Sequence, residues 1–428
     1  MTQLRVAPTT AGTTSVWTAP IARRDRTSAG AFIAVLLAPL DVPSRETVVA
    51  RVRDLVALGP DARVGRTLVA DSWRYDPSRH GDQSERLVID APDAALSLGA
   101  APTLRDSMDP DLPFTVFLGG TRAAVVIDHR LGDGFLAVLL TAAVLGEGGI
   151  PPSISAAVDR DPLPAALRTT FAADRRRAAD VLRDRVVDRR SAALPFPPAG
   201  RSRDAAMQPH PATVACEMSP EDTAAFQRWV KGRMPLAVAV LHAMREALPR
   251  SGIAATDGGS VLVDLRRYLP SGMSVLGNFV TGQPVALGAD PDETADRLAR
   301  LLRTGRPLAA HATGLATQAA RDLRHRLHRP GSVTTPAPTG VARLTVSDMG
   351  FVRPLDHLPW DDASGPATIS VSVDAAGRDG MTVLTYVLRR RLNVSITFDA
   401  AVFDAARVTE ACRQLCADPL GLLERRPA

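Results

Sequence analysis

Lysine is almost missing from this chain: Lys231 is the only one, so arginine supplies nearly all of the 51 basic residues. The formal net charge of +5 therefore reflects arginine usage, not a run of lysines. Aromatic residues make up only 4% of the sequence. The arginines near 175–177 and 389–391 lie among aspartates or beside an apolar run, with almost no rings nearby to stack on bases. This argues against nucleic-acid binding. A local arginine patch remains compatible with a phosphorylated substrate arm.

Cysteine is scarce as well. Cys216, Cys412 and Cys416 provide no disulfide framework, and the last two, four residues apart, read as helix packing. No apolar run is long enough to cross a bilayer, since Ala31–Leu40 falls well short of a span. The N-terminus lacks a basic segment followed by a long apolar stretch and a cleavage site, so a cytoplasmic location is expected. In that setting the sequon Asn393-Val394-Ser395 carries no meaning. Phosphate-binding loops, dinucleotide-binding glycine fingerprints and GxSxG elbows are absent, which disfavours phosphoryl transfer, hydride transfer and hydrolase chemistry. His242, His311, His325 and His328 show no metal-ligand spacing and read as structural.

What is present is ample material for two cores. The 428 residues, 45% hydrophobic and 23% charged, suit a folded protein of two lobes, expected at 1–200 and 201–428. In the first half, strands are expected at 29–40, 84–90, 114–119 and 122–128, with helices at 45–58 and 135–145. A helix at 164–191 and a breaker-rich stretch at 195–211 read as the crossover between lobes. The second half opens with a strand at 212–218. Ser219-Pro220-Glu221-Asp222 then supplies an N-cap, a first-turn proline and first-turn acids for a helix at 220–231. Helices at 235–248, 291–304 and 404–416 alternate with strands at 261–268, 279–287, 341–347, 367–374, 381–388 and 392–398. The alternation implies a layered α/β plan used twice, each lobe a mixed sheet covered by helices.

One junction stands out chemically. Val125-Val126-Ile127-Asp128-His129-Arg130-Leu131-Gly132-Asp133-Gly134-Phe135 places an HxxxDG pattern between a β-branched strand and an apolar helix. On residue types alone His129 is either a core histidine at a Gly-rich turn, with Asp133 as the helix cap, or a general base. A strand-end histidine can present one ring nitrogen to a substrate while a backbone carbonyl holds the other. A carboxylate turned into the protein calls for a cationic partner. Val263-Asp264-Leu265-Arg266 offers one, with Val263 and Leu265 facing away from Asp264 and Arg266 on a period-two reading.

With these segments in this order, the chain resembles the chloramphenicol acetyltransferase superfamily. That group includes peptide-synthetase condensation domains, BAHD and alcohol acetyltransferases, and polyketide-associated acyltransferases. Asp264-Leu265-Arg266 before Gly277-Asn278-Phe279 resembles the alcohol acetyltransferase pattern. Gly277-x-Phe279-x-Thr281-x-x-Pro284-Val285 resembles a condensation-domain motif. Val346-Ser347-Asp348-Met349-Gly350 resembles a Ser-Asn-x-Gly turn, with Asp348 in place of Asn. Asp128 stands where condensation domains carry a second histidine, and the BAHD Asp-Phe-Gly-Trp-Gly stretch is absent.

The resemblance implies two lobes around a tunnel, with His129 as base, Asp133 as a structural residue paired with Arg266, and Ser347 as oxyanion donor. It also implies that Gly134, Asn278 and Thr281 contact substrate. The implied activity transfers an acyl group from a coenzyme A or carrier-protein thioester to a small-molecule hydroxyl or amine, in bacterial secondary metabolism or lipid biosynthesis. No tightly bound cofactor or metal is implied. The expected partners are the acceptor and an acyl carrier protein, and the expected state is a monomer. A free-standing condensation enzyme and a degenerate member with a binding role remain as alternatives.

Overall fold

The computed structural model describes residues 15–172, 174–190, 210–288, 290–327, 337–375 and 377–424. The first half contributes β1 (Trp17–Pro20), β2 (Phe32–Ala38), β3 (Thr67–Val69), β4 (Ser72–Tyr75), β5 (Val88–Asp90), β6 (Phe114–Leu118) and β7 (Ala123–Asp128). The second contributes β8 (Pro211–Glu217), β9 (Ala255–Asp264), β10 (Val280–Ala286), β11 (Ala342–Phe351), β12 (Thr368–Val373), β13 (Gly380–Leu388) and β14 (Arg391–Asp399). They form a five-stranded sheet ordered β12-β2-β7-β6-β5, a six-stranded sheet ordered β10-β9-β11-β13-β14-β8, and a small β1-β4-β3 sheet. Both large sheets are mixed: β5 runs parallel to β6, and β11 runs parallel to β9 and β13.

Each large sheet buries a face against helices. Ile33, Val35, Val125 and Ile127 pack with the helices Arg45–Val56 and Gly134–Leu145 in one core. Leu344, Val346, Val383 and Ile396 pack with the helices Leu236–Arg250 and Ala405–Ala417 in the other. Cys412 and Cys416 lie buried in that second core. Ser219 caps the helix Pro220–Val230, accepting the Asp222 N–H at 3.0 Å.

Some expectations need correction. The expected boundary at residue 200 lies outside the described residues, and β12 from the second half completes the first-half sheet, pairing Val371 with Val35 and Val373 with Ile33. Its alternating apolar residues Ile369 and Val371 extend the buried face of β2. The Val371 and Val373 N–H groups also meet Ser395 Oγ and Thr397 Oγ1 of β14, so this strand ties one sheet to the other. The segment 84–90 is strand only at 88–90, after a helix His80–Arg86. Residues 164–191 hold Leu163–Leu167, a π-turn Arg168–Ala172 and a separate helix Arg175–Arg190. The breaker-rich stretch at 195–211 is outside the described residues up to 209. The Arg-rich segment that includes His325 is the end of a longer helix, Arg306–Leu327. His328 lies outside the described residues, as does the side chain of His325. Among the described residues, no helix is long and apolar enough to cross a membrane.

Candidate active site

A cavity of about 780 Å³ lies between the two large sheets, with His129 in its wall. This volume is of the size that takes small-molecule substrates. Its lining draws Ile33 and Val35 from β2, Gly134 and Val138 from the helix after the motif, and Ser347, Met349 and Leu384 from the six-stranded sheet.

His129 follows directly on β7, and its backbone is held at successive groups. Its N–H donates to the Ala31 carbonyl at 2.9 Å. Asn278 Nδ2 donates to its carbonyl at 2.6 Å. The next two carbonyls both belong to Arg63, which donates from Nη2 to Arg130 at 3.0 Å and from Nε to Leu131 at 2.8 Å. Arg63 is itself buried, 1% exposed, and is balanced by Asp25 at 2.8 Å and Asp159 at 2.9 Å. Burial works against its charge, but the two carboxylates outweigh burial and raise its pKa. Asp25 closes the circuit by accepting the Asn278 backbone N–H at 3.1 Å.

Asp133 anchors the other end of the turn. It caps the helix Gly134–Leu145 by accepting the Phe135 N–H at 3.2 Å. It also meets Arg266 with both oxygens, at 2.9 and 3.2 Å, and accepts the Phe279 N–H at 3.3 Å. Burial opposes the Arg266 charge, yet Asp133 and Asp264 raise its pKa overall. The Arg266 guanidinium further donates to the Val275 and Gly277 carbonyls and lies 5.1 Å from the Phe135 ring centre. Two glycines permit this close approach: a Cβ on Gly132 would stand 2.6 Å from the Leu276 carbonyl, and one on Gly277 would stand 2.8 Å from Arg63 Nη1.

The structure separates the sequence candidates into two groups. His129, Asp133, Gly134, Arg266 and Ser347 all line the cavity, and among the described residues the Ser347 hydroxyl has no partner. Gly134 abuts Met349, whose Cε would lie 3.1 Å from an added Cβ. Asn278 and Thr281 do not line it. Asn278 is 6% exposed and its Nδ2 is spent on His129 and Asp25, while Thr281 follows cavity-lining Val280 on β10 and so faces away.

Other details depart from expectation. His129 Nδ1 is enclosed without a hydrogen-bond partner, so no backbone carbonyl holds it. Val346–Gly350 is not a free turn but part of β11, with a register shift between Asp348 and Phe351. Asp348 accepts the Gly350 N–H and the Thr385 hydroxyl and lines the cavity; desolvation pushes its pKa up. Asp128 is chelated by Arg130 Nε and Nη2 at 2.9 and 2.7 Å. Among the described residues, no cluster of His, Cys, Asp or Glu is placed to hold a metal ion.

Asp25, Arg63 and Asp159 escaped the sequence reading. They lie far apart in the chain, and nothing in their local spacing marks them as partners of the His129 turn.

No family model matches the sequence, and no curated protein matches it by sequence. Solved structures do match. The trichothecene 15-O-acetyltransferase from Fusarium sporotrichioides superposes with a TM-score of 0.62 at 12% identity, over 96% of this chain and 97% of that one. The first condensation domain of the CDA synthetase gives 0.59 at 17% identity, over 97% and 98%. The epimerization domain from the third module of tyrocidine synthetase B gives 0.55 at 14%, over 96% and 98%. The chain therefore has the two-lobed fold of condensation domains and chloramphenicol-acetyltransferase-like acyltransferases, and at these identities the likeness concerns the fold alone.

Proposed function

We infer that the protein is an acyltransferase that moves an acyl group from a coenzyme A or carrier-protein thioester to a hydroxyl or amine. The observation that carries this reading is the immobilised His129 turn in the wall of a substrate-sized cavity. With Nδ1 enclosed, Nε2 is the nitrogen left for the acceptor. His129 removes the acceptor proton as the acceptor oxygen or nitrogen attacks the thioester carbonyl. The tetrahedral intermediate then collapses, the C–S bond breaks, and His129 returns the proton to the departing thiolate. Charge on the carbonyl oxygen is met by the free Ser347 hydroxyl, a donor of the kind that stabilises such intermediates. Asp133 and Arg266 hold the turn and take no part in proton transfer. Because the fold also serves condensation and epimerization domains, the reaction is assigned from the site and not from the likeness.

The test is thiol release from a panel of acyl thioesters, with and without alcohols and amines. Release stimulated by an acceptor supports transfer, while release that no acceptor stimulates, or none at all across both coenzyme A and carrier-bound donors, overturns it.

A further inference from the structure

The floor of the cavity beyond His129 is hydrocarbon. Ile33 and Val35 of β2 share one sheet face with Val373 and Val371 of β12, each pair in register. Val138 from the helix above and Leu384 from β13 complete the walls. Thr382, on the same face of β13 as Leu384, and Asp374, next to Val373, put polar groups at the end where Val373 pairs with Ile33, while deeper in the Tyr386 hydroxyl is already spent as a donor to the Ile369 carbonyl. From Ala31, which holds the His129 N–H, to Val35 the chain advances roughly 13 Å at extended spacing.

A ligand group with hydrogen-bonding atoms would lose its water there and find no replacement. A saturated chain gains from the same burial. The charged lining residues Arg105, Asp133, Asp264, Arg266 and Asp348 belong to other segments of the wall, and Asp374 follows Val373 at one end of the floor. The cavity thus carries its charged groups around an apolar stretch that runs along Val35, Val371 and Leu384.

Building on the acyl-transfer reading, we propose that this floor holds the acyl chain of the donor thioester, and that the chain is a hydrocarbon well beyond acetyl in length. The donor has two halves about its reacting carbonyl. The pantetheine arm carries amides throughout, so only the acyl half can enter a wall that offers no hydrogen bonds.

The test uses S-acyl-pantetheine thioesters from acetyl to dodecanoyl, whose arm is common to coenzyme A and carrier proteins. Calorimetric affinity should rise about fourfold for each added methylene until the floor is full. Val371→Phe should move the plateau to a shorter chain and leave acetyl binding unchanged. Val138→Phe, at a half-buried position that tolerates a larger ring, should do the same if the first variant folds poorly. Affinity independent of chain length, or one profile shared by wild type and both variants, overturns the assignment. So does acetyl transfer to decanol that Val371→Phe blocks, since the floor would then hold the acceptor. Chain-length-dependent binding with no transfer to any acceptor would keep this assignment and sink the acyl-transfer reading. Acetyl transfer without chain-length dependence would do the reverse.

Discussion

Ser347 presents the cavity with a hydroxyl that no described protein group engages, next in sequence to an aspartate whose pKa is raised. The two residues make different demands. If Ser347 donates to the oxyanion, Ser347→Ala lowers kcat by about a hundredfold with little change in KM, because the bond forms only as charge develops. An equal kcat in the variant would remove Ser347 from the mechanism. Asp348 affects stability instead. Its folded pKa is raised, so the folded state holds its proton more tightly than the unfolded chain does. The resulting stabilisation is present at low pH and is lost as pH rises from the ordinary carboxylate value of about 3.9. Asp348→Asn keeps an acceptor for Gly350 and Thr385 without the charge. Thermal unfolding should show it more stable than wild type at pH 7 and equal at pH 3.

At the scale of elements, the β7-to-helix turn is held from two sides. Arg63 and Asn278 take the carbonyls of residues 129–131, and Arg266 takes Asp133. Arg63→Met removes a buried cation and leaves Asp25, which is 0% exposed, with Arg24 at 3.8 Å as its remaining cation, so denaturant unfolding should register a loss of about 3–5 kcal/mol. Adding Asp25→Asn should restore part of that loss; strictly additive losses would mean the pair does not act as one unit. The anchors differ in how well the sequence announces them. Asp133 and Arg266 sit in patterned segments, one at a strand-to-helix junction and one beside an apolar strand, so local spacing exposes both. Arg63, Asp25 and Asp159 become neighbours only through tertiary folding. Asn278 sits in a recognisable motif, but which way its side chain points depends on Asp25, 253 residues away. The strands and helices with strong periodicity were legible for the same local reason. The destination of β12 was not, because alternation fixes a strand's buried face and not its neighbours.

Across the whole molecule, acid should loosen the second core before it protonates the carboxylates that pair with arginine. His242, on the helix Leu236–Arg250, is 5% exposed and hydrogen-bonds Thr294 Oγ1 at 3.0 Å. Desolvation, assisted by Arg245, pushes its pKa down to about 4. The unfolded chain takes up that proton from about pH 6.5, so the stabilisation is complete above pH 6.5 and is lost as pH falls towards 4. Its size is on the order of 3 kcal/mol. His242→Gln should flatten that limb of a stability-against-pH curve, and an unchanged limb would exclude His242 as its source. Both sheets meet at the cavity, with β12 joining the first and touching the second, so the chemistry depends on both halves being folded together.

In the proposed reaction His129 moves the proton. This role is tested most directly by comparing acceptor-dependent thiol release by wild type with that by His129→Ala, both checked for the same circular dichroism spectrum and melting behaviour. If His129 is the base, kcat falls by about a hundredfold to ten-thousandfold in the variant. A folded His129→Ala protein that transfers acyl groups at the wild-type rate would contradict it.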